Sequence, residues 1–154
     1  MLSKLVSVTL AILAAAVVLA ACGQSDRSST FEKDAPRALA SVRAAGDALL
    51  ATMESAGSGP DAALAKQLEA NKSQIVAANA GIKALDASDS AQRKLVEELS
   101  SALTSVSGDL ATLIDSVSVS DASQAKAKTA QLMADAATVK AAYDALRKSV
   151  AGKD

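Results

Sequence analysis

One thiol, one adjacent pair of carboxylates and twenty serine hydroxyls are the groups in this chain that could do chemistry. The thiol belongs to Cys22, the only cysteine among 154 residues, and an ionised thiol is a strong nucleophile. Glu97 and Glu98 are neighbours in sequence, but adjacent helix residues point about 100° apart and cannot share a proton. That pair reads as a solvated face. A serine nucleophile needs a base; the chain has no histidine, and no motif supports a lysine in its place. The missing histidine also removes the main ligand of the commonest zinc, haem and non-haem iron sites and the Glu-x-x-His pairs of di-iron bundles. Gly57-Ser58-Gly59-Pro60 has no lysine and follows no strand, so it cannot hold phosphate as a P-loop does. The chain is therefore expected not to be an enzyme and to need no cofactor or metal.

Composition narrows the class further. With 16 Lys+Arg against 17 Asp+Glu, the net charge of −1 lacks the basic footprint of a nucleic-acid binder. A single cysteine forbids an internal disulfide framework. Two prolines and seven glycines are too few for a loop-rich β fold, and 50 % apolar residues is too many for a disordered polar chain. Alanine supplies 37 residues and aromatics only 1 %. Small side chains of this kind fill space closely and leave little room for an apolar ligand pocket.

The cysteine acquires meaning from what precedes it. Met1 to Cys22 reads MLSKLVSVTLAILAAAVVLAAC, with Lys4 the only charge and 17 apolar or small residues from Leu5 to Ala21. A positive start, an apolar middle and small residues before a cut site make a secretory signal. At its end, Leu19-Ala20-Ala21-Cys22 resembles the lipobox of bacterial lipoproteins, followed by the polar Gly23-Gln24-Ser25-Asp26. The resemblance covers about a seventh of the chain. It implies diacylglycerol on the Cys22 thiol, cleavage between Ala21 and Cys22, and acylation of the new amino group. Several acyl chains hold a protein to a bilayer far more firmly than one, at about 0.8 kcal/mol per buried methylene. An uncleaved signal anchor that happens to end in cysteine is the other reading. In enteric-type lipoproteins an Asp after the lipidated cysteine retains the protein in the inner membrane; Gly23 stands there instead. By that analogy the expected location is the cell envelope: the outer membrane of a Gram-negative host, or otherwise the outer face of the cell membrane.

The remainder divides into a tether over 22–33 and an alanine-rich helical domain over 34–154. Gly23 to Thr30 carries no aliphatic side chain and suits a flexible tether, reaching at most roughly 28 Å. Two starts compete for the first helix. Asp34 can cap a helix with Pro36 in its first turn, whereas Ser29-Thr30-Phe31-Glu32 has capping-box spacing and would place Pro36 inside. Phe31 then either packs on this helix or touches the bilayer surface. The apolar positions Leu39, Val42, Gly46, Leu49 and Met53 recur in steps of three and four up to about Ala56.

Gly57-Ser58-Gly59-Pro60 is the clearest turn. A second helix is expected from Asp61 to Leu85, on Leu64, Leu68, Asn71, Ile75, Ala78 and Ile82. A third runs from about Asp89 to Val117 on Val96, Leu99, Leu103, Val106, Leu110 and Leu113. The fourth begins after Ser118-Val119-Ser120-Asp121, on Ala125, Thr129, Leu132, Ala136, Val139, Tyr143, Leu146 and Val150. Asp89 with Gln92, and Asp121 with Gln124, repeat the cap spacing. Sustained three–four spacing joined by short connections predicts an all-α, up-down antiparallel four-helix bundle. A long hairpin or trimeric coiled coil would need straight-through connections, against which Gly57 to Pro60 argues.

Asn71, the polar residue in a seam, is expected to specify register or to sit at a bundle end. Gly46, Gly81 and Gly108 read as close helix approaches, or alternatively as hinges. Tyr143 is expected in the core with its hydroxyl near the surface. Topology puts the lipid end, the 86–89 turn and the C-terminus together. The partner-facing turns Gly57-Ser58-Gly59-Pro60 and Ser118-Val119-Ser120 then lie at the far end. Three functions fit: a lipid-anchored interaction or scaffold module meeting an envelope protein partner, a small-ligand- or lipid-binding sensory-type bundle, or an envelope stress or spacer protein. Partners are the membrane, through the lipid on Cys22, and an envelope protein; nucleic acid is not among them.

Overall fold

Phe31 decides where the first helix begins. In the computed structural model, which describes residues 30–56, 61–87 and 89–152, helix α1 spans Thr30–Ser55 and carries Pro36 inside it. The earlier of the two starts is the one adopted, so Phe31 to Lys33 are helical and not part of a tether. Proline has no N–H to give the carbonyl of Glu32, an interior penalty of about 3 kcal/mol. Starting at Thr30 buries Phe31 to 1 % exposure and Ala35 completely. Full burial of a phenylalanine contributes about 2–3 kcal/mol, of the same size as the proline penalty.

Helix α2 spans Asp61–Lys83, α3 Ser90–Ser118 and α4 Ala122–Ala151. Leu85 lies just past α2, and with Ala87 it is buried beneath the α2–α3 turn. Helix α1 packs on α2, α2 on α3 and α3 on α4, while α1 meets α4 only sparsely and the diagonal pairs do not meet. Gly81 lies beside Ala38 and Asn71 beside Thr52, so α2 runs antiparallel to α1. The expected all-α four-helix bundle is thus the fold. Its core is a column of aliphatic side chains: Leu39, Val42, Leu68, Ile75, Ile82, Leu99, Leu103, Leu110, Leu132 and Leu146.

The four helices do not share the core equally. Helix α3 buries twelve of its residues, α4 only Ala125, Leu132 and Leu146. The cause is composition: alanines stand on every side of α4, so its larger side chains form a narrow stripe, and Val139, Tyr143 and Val150 are only partly covered. Helix α4 thus places the fewest side chains in the core, although its contact with α3 is the most extensive between any two helices.

Of the helix glycines, only Gly81 fits the expected close approach, since a methyl group there would lie 4.0 Å from the Ala38 Cβ. At Gly46 and Gly108 an added Cβ would meet nothing within 4 Å. Glycine in a helix interior costs about 1 kcal/mol relative to alanine. Gly108→Ala should therefore raise the unfolding free energy by about 1 kcal/mol in urea titration, and Gly46→Ala by a similar amount. Destabilisation at either position would mean that the glycine is needed for its backbone.

Candidate functional site

Among the described residues, three side-chain hydrogen bonds cross between helices, one for each consecutive pair. Asn71 on α2 donates from Nδ2 to Thr52 Oγ1 on α1 at 2.7 Å. Asn79, also on α2, donates to Thr104 Oγ1 on α3 at 3.0 Å, and Thr104 in turn donates to the Ser100 carbonyl at 2.8 Å. Ser116 on α3, with no exposed surface, lies 3.0 Å from Gln124 Oε1 on α4 and 2.8 Å from the Thr112 carbonyl. One hydroxyl has one hydrogen; turning the Gln124 amide to present Nε2–H satisfies both contacts. Asn71 lies in mid-helix and not at a bundle end. Neither Gln92 nor Gln124 closes its capping box. Asp89 accepts from the Ala91 N–H at 2.8 Å and Asp121 from the Gln124 N–H at 2.9 Å. The Gln92 side chain turns inward, where its Nε2 has no partner, and that of Gln124 ties α4 to α3.

The turn between α3 and α4 has a defined geometry. The N–H of Ser120 donates to the Val117 carbonyl and that of Asp121 to the Ser116 carbonyl, at 3.1 and 2.9 Å. These are the two bonds of a Schellman motif, which closes on a left-handed residue that is usually glycine. Here it is Ser120, with φ 57°, in a region that costs an L-residue roughly 1–2 kcal/mol. Asp121 both ends the motif and caps α4. The motif leaves Val119 at the apex with 73 % of its surface exposed.

Of the proposed partner-facing turns, Ser118, Val119 and Ser120 stand at the end of the bundle opposite Thr30, together with the end of α1 and the start of α2. Gly57, Ser58, Gly59 and Pro60 lie outside the described residues, as do Leu19, Ala20, Ala21 and Cys22. Glu97 and Glu98 are exposed, with Glu98 paired to Lys94 at 3.8 Å.

The α3–α4 face holds a shallow open groove, with Ala102 and Ser105 on one side and Thr138, Ala142 and Ala145 on the other. Two aspartates on these helices, Asp144 and Asp109, differ in surroundings. Asp144 accepts from Lys140 Nζ at 2.7 Å, and this hydrogen bond, with the charges of Lys140, Arg147 and Lys148, holds its carboxyl below the usual range. Asp109 is pushed the other way, first by burial and then by the facing carboxyl of Asp135, against a smaller pull from Lys128. The spacing of the seams gives no sign of this pair, because it exists only once α3 and α4 are set in register.

Among the described residues no three His, Cys, Asp or Glu side chains converge as metal ligands would, and no helix is long and apolar enough to cross a membrane. Compared with known proteins, the chain matches no family model, no curated sequence and no solved structure.

Proposed function

We propose that the chain is a bacterial envelope lipoprotein, held to the bilayer by acyl groups on Cys22, whose bundle is a non-catalytic interaction module. Its membrane is the outer membrane in a Gram-negative host and otherwise the outer face of the cell membrane. Anchoring rests on the resemblance of Leu19-Ala20-Ala21-Cys22 to a lipobox, with the positive, apolar and small-residue order before it. The observation that carries the interaction reading is Val119. An apolar side chain 73 % exposed is raised by a hydrogen-bonded turn at the end of the bundle remote from Thr30. A helix of 26 residues is roughly 39 Å long, so that apex projects well away from a surface at the α1 end. An aliphatic core of interleaved seams, supplemented by alanine, leaves a surface contact as the means of recognition.

A photo-crosslinking amino acid placed at Val119, and in a second strain at Val76, exposed on the flank of α2, tests the reading in living cells. A discrete protein adduct from position 119 and none from position 76 is the expected result. No adduct at 119, together with a small molecule retained reproducibly in native mass spectrometry, would replace it with the ligand-binding alternative. Neither a partner nor a ligand would leave the envelope spacer.

A further inference from the structure

The oxygen Asp109 Oδ2 is buried and has no hydrogen-bond partner. It lies on α3, on the side turned to α4, and an ionised carboxylate can only accept. The antiparallel register that sets Ser116 of α3 against Gln124 of α4 carries another carboxylate, Asp135, to the stretch of α4 opposite Asp109, and the two carboxyls act on each other. Two acceptors facing each other in a helix interface cannot satisfy one another; a proton on one of them makes a donor and resolves both. The surroundings say which one takes it. Asp135 Oδ1 already accepts from Gln131 Nε2 at 3.3 Å, whereas no donor reaches Asp109 Oδ2. The charged groups that bear on Asp109 are Asp135 and Lys128, both from α4; Lys128 acts in the opposite sense and is the smaller influence.

The contact falls in the interface that holds α4 to the bundle. Helix α4 is seated mainly on α3, and it buries only Ala125, Leu132 and Leu146. Asp135 is one turn from Leu132, so whatever happens between the two carboxyls acts directly on the middle of that seat.

We infer that Asp109 and Asp135 form an acid-responsive clasp, in which Asp109 takes up a proton and donates it in a hydrogen bond to Asp135, seating α4 on α3 more firmly in mild acid than at neutral pH. No bond other than the O–H is made: a solvent proton is bound on acidification and returned on neutralisation. The direction is opposite to that of ordinary acid unfolding. A carboxyl that titrates at higher pH when folded than when unfolded binds more protons in the native state. Stability then rises as pH falls through the folded value and stops rising below the unfolded one, near the ordinary aspartate value of 3.8. The ion pairs of Asp144 set the lower limit, since its folded carboxyl is held below 3.8 and their contribution is lost in stronger acid. An envelope protein meets the pH of its surroundings directly, but the clasp is a property of the bundle and does not depend on where the chain resides.

The test is the melting temperature of the intact chain in mild detergent, from about pH 7.5 down to about pH 4.5, a range that lies above the ordinary aspartate value. The wild type should melt higher at the acid end than at neutral pH. Asp109→Asn, isosteric with the protonated acid and able to donate, should melt above wild type at neutral pH and lose the acid-dependent rise. Asp144→Asn, which breaks a different pair, should keep that rise. Carboxyl carbon NMR gives a readout that packing alone would not move: the Asp109 resonance should titrate above the ordinary aspartate range, and its midpoint should fall in Asp135→Asn. A wild-type melting temperature that declines steadily from neutral to acid, a rise that survives Asp109→Asn, or an Asp109 midpoint unchanged by Asp135→Asn would each overturn the clasp.

Discussion

Leu110→Ala is expected to lower the unfolding free energy by about 3–5 kcal/mol, in the upper part of the range for buried leucines. Leu110 has no exposed surface and belongs to α3, the helix that buries the most residues and touches both α2 and α4. Loss of its side chain removes transfer free energy and leaves a cavity. The size of the second contribution depends on whether neighbours can collapse into the space. The helices are fixed by packing along their whole length, so little relaxation is expected. A domain of this size is stable by about 5–15 kcal/mol in all, and the variant would sit close to unfolding at elevated temperature. Urea titration measures the loss directly. Val76→Ala, at a position 53 % exposed, is the comparison and should change stability by no more than about 0.5 kcal/mol. Similar small effects at both positions would refute the core described for α3.

Cys22→Ala carries the second large effect, on processing instead of folding. On the proposed lipoprotein reading the Cys22 thiol is the attachment atom for the first lipid, so the variant should incorporate no labelled palmitate and should remain as the longer precursor on a gel. Fractionation alone would mislead. An unprocessed chain keeps the apolar stretch from Leu5 to Ala21, and 17 residues are near the lower limit for spanning a bilayer, so the precursor can stay with the membrane. Labelling and mobility separate the two cases. If both match wild type in Cys22→Ala, the lipoprotein reading is wrong.

Much of the bundle is visible in the chain because its core obeys one period. Leu99, Leu103, Val106, Leu110 and Leu113 recur at steps of three and four, and all five are buried. What escapes that period does so for identifiable reasons. Asn79 was outside the α2 seam drawn through Ala78, yet both are buried, because α2 packs against α1 on one side and α3 on the other. A helix with two neighbours buries a stripe wider than a single seam. Its signal was available: Asn79 follows Ile75 by four residues and stands next to Ala78. The early start of α1 turned on weighing one aromatic against one proline, a contest that local propensity decides wrongly. Gln92 and Gln124 have cap spacing, but a glutamine is long enough to leave its own helix end, and tertiary contacts took both. The Asp109–Asp135 pair joins residues 26 positions apart on separate helices, and nothing short of the register between α3 and α4 reveals it.

The strictly consecutive pairing of the helices also governs how the chain finds its fold. The polar contacts that tie one helix to the next span 19, 25 and 8 residues of sequence, and α1 and α4, the most distant in the chain, have the sparsest contact. Closing such short loops costs little entropy, and bundles of this topology fold in microseconds to milliseconds. A chain threaded through a membrane pore emerges from its N-terminus, so each helix meets its predecessor already present and need not wait for a later one. The topology therefore allows assembly as a succession of hairpins, with each helix packing on the one before it.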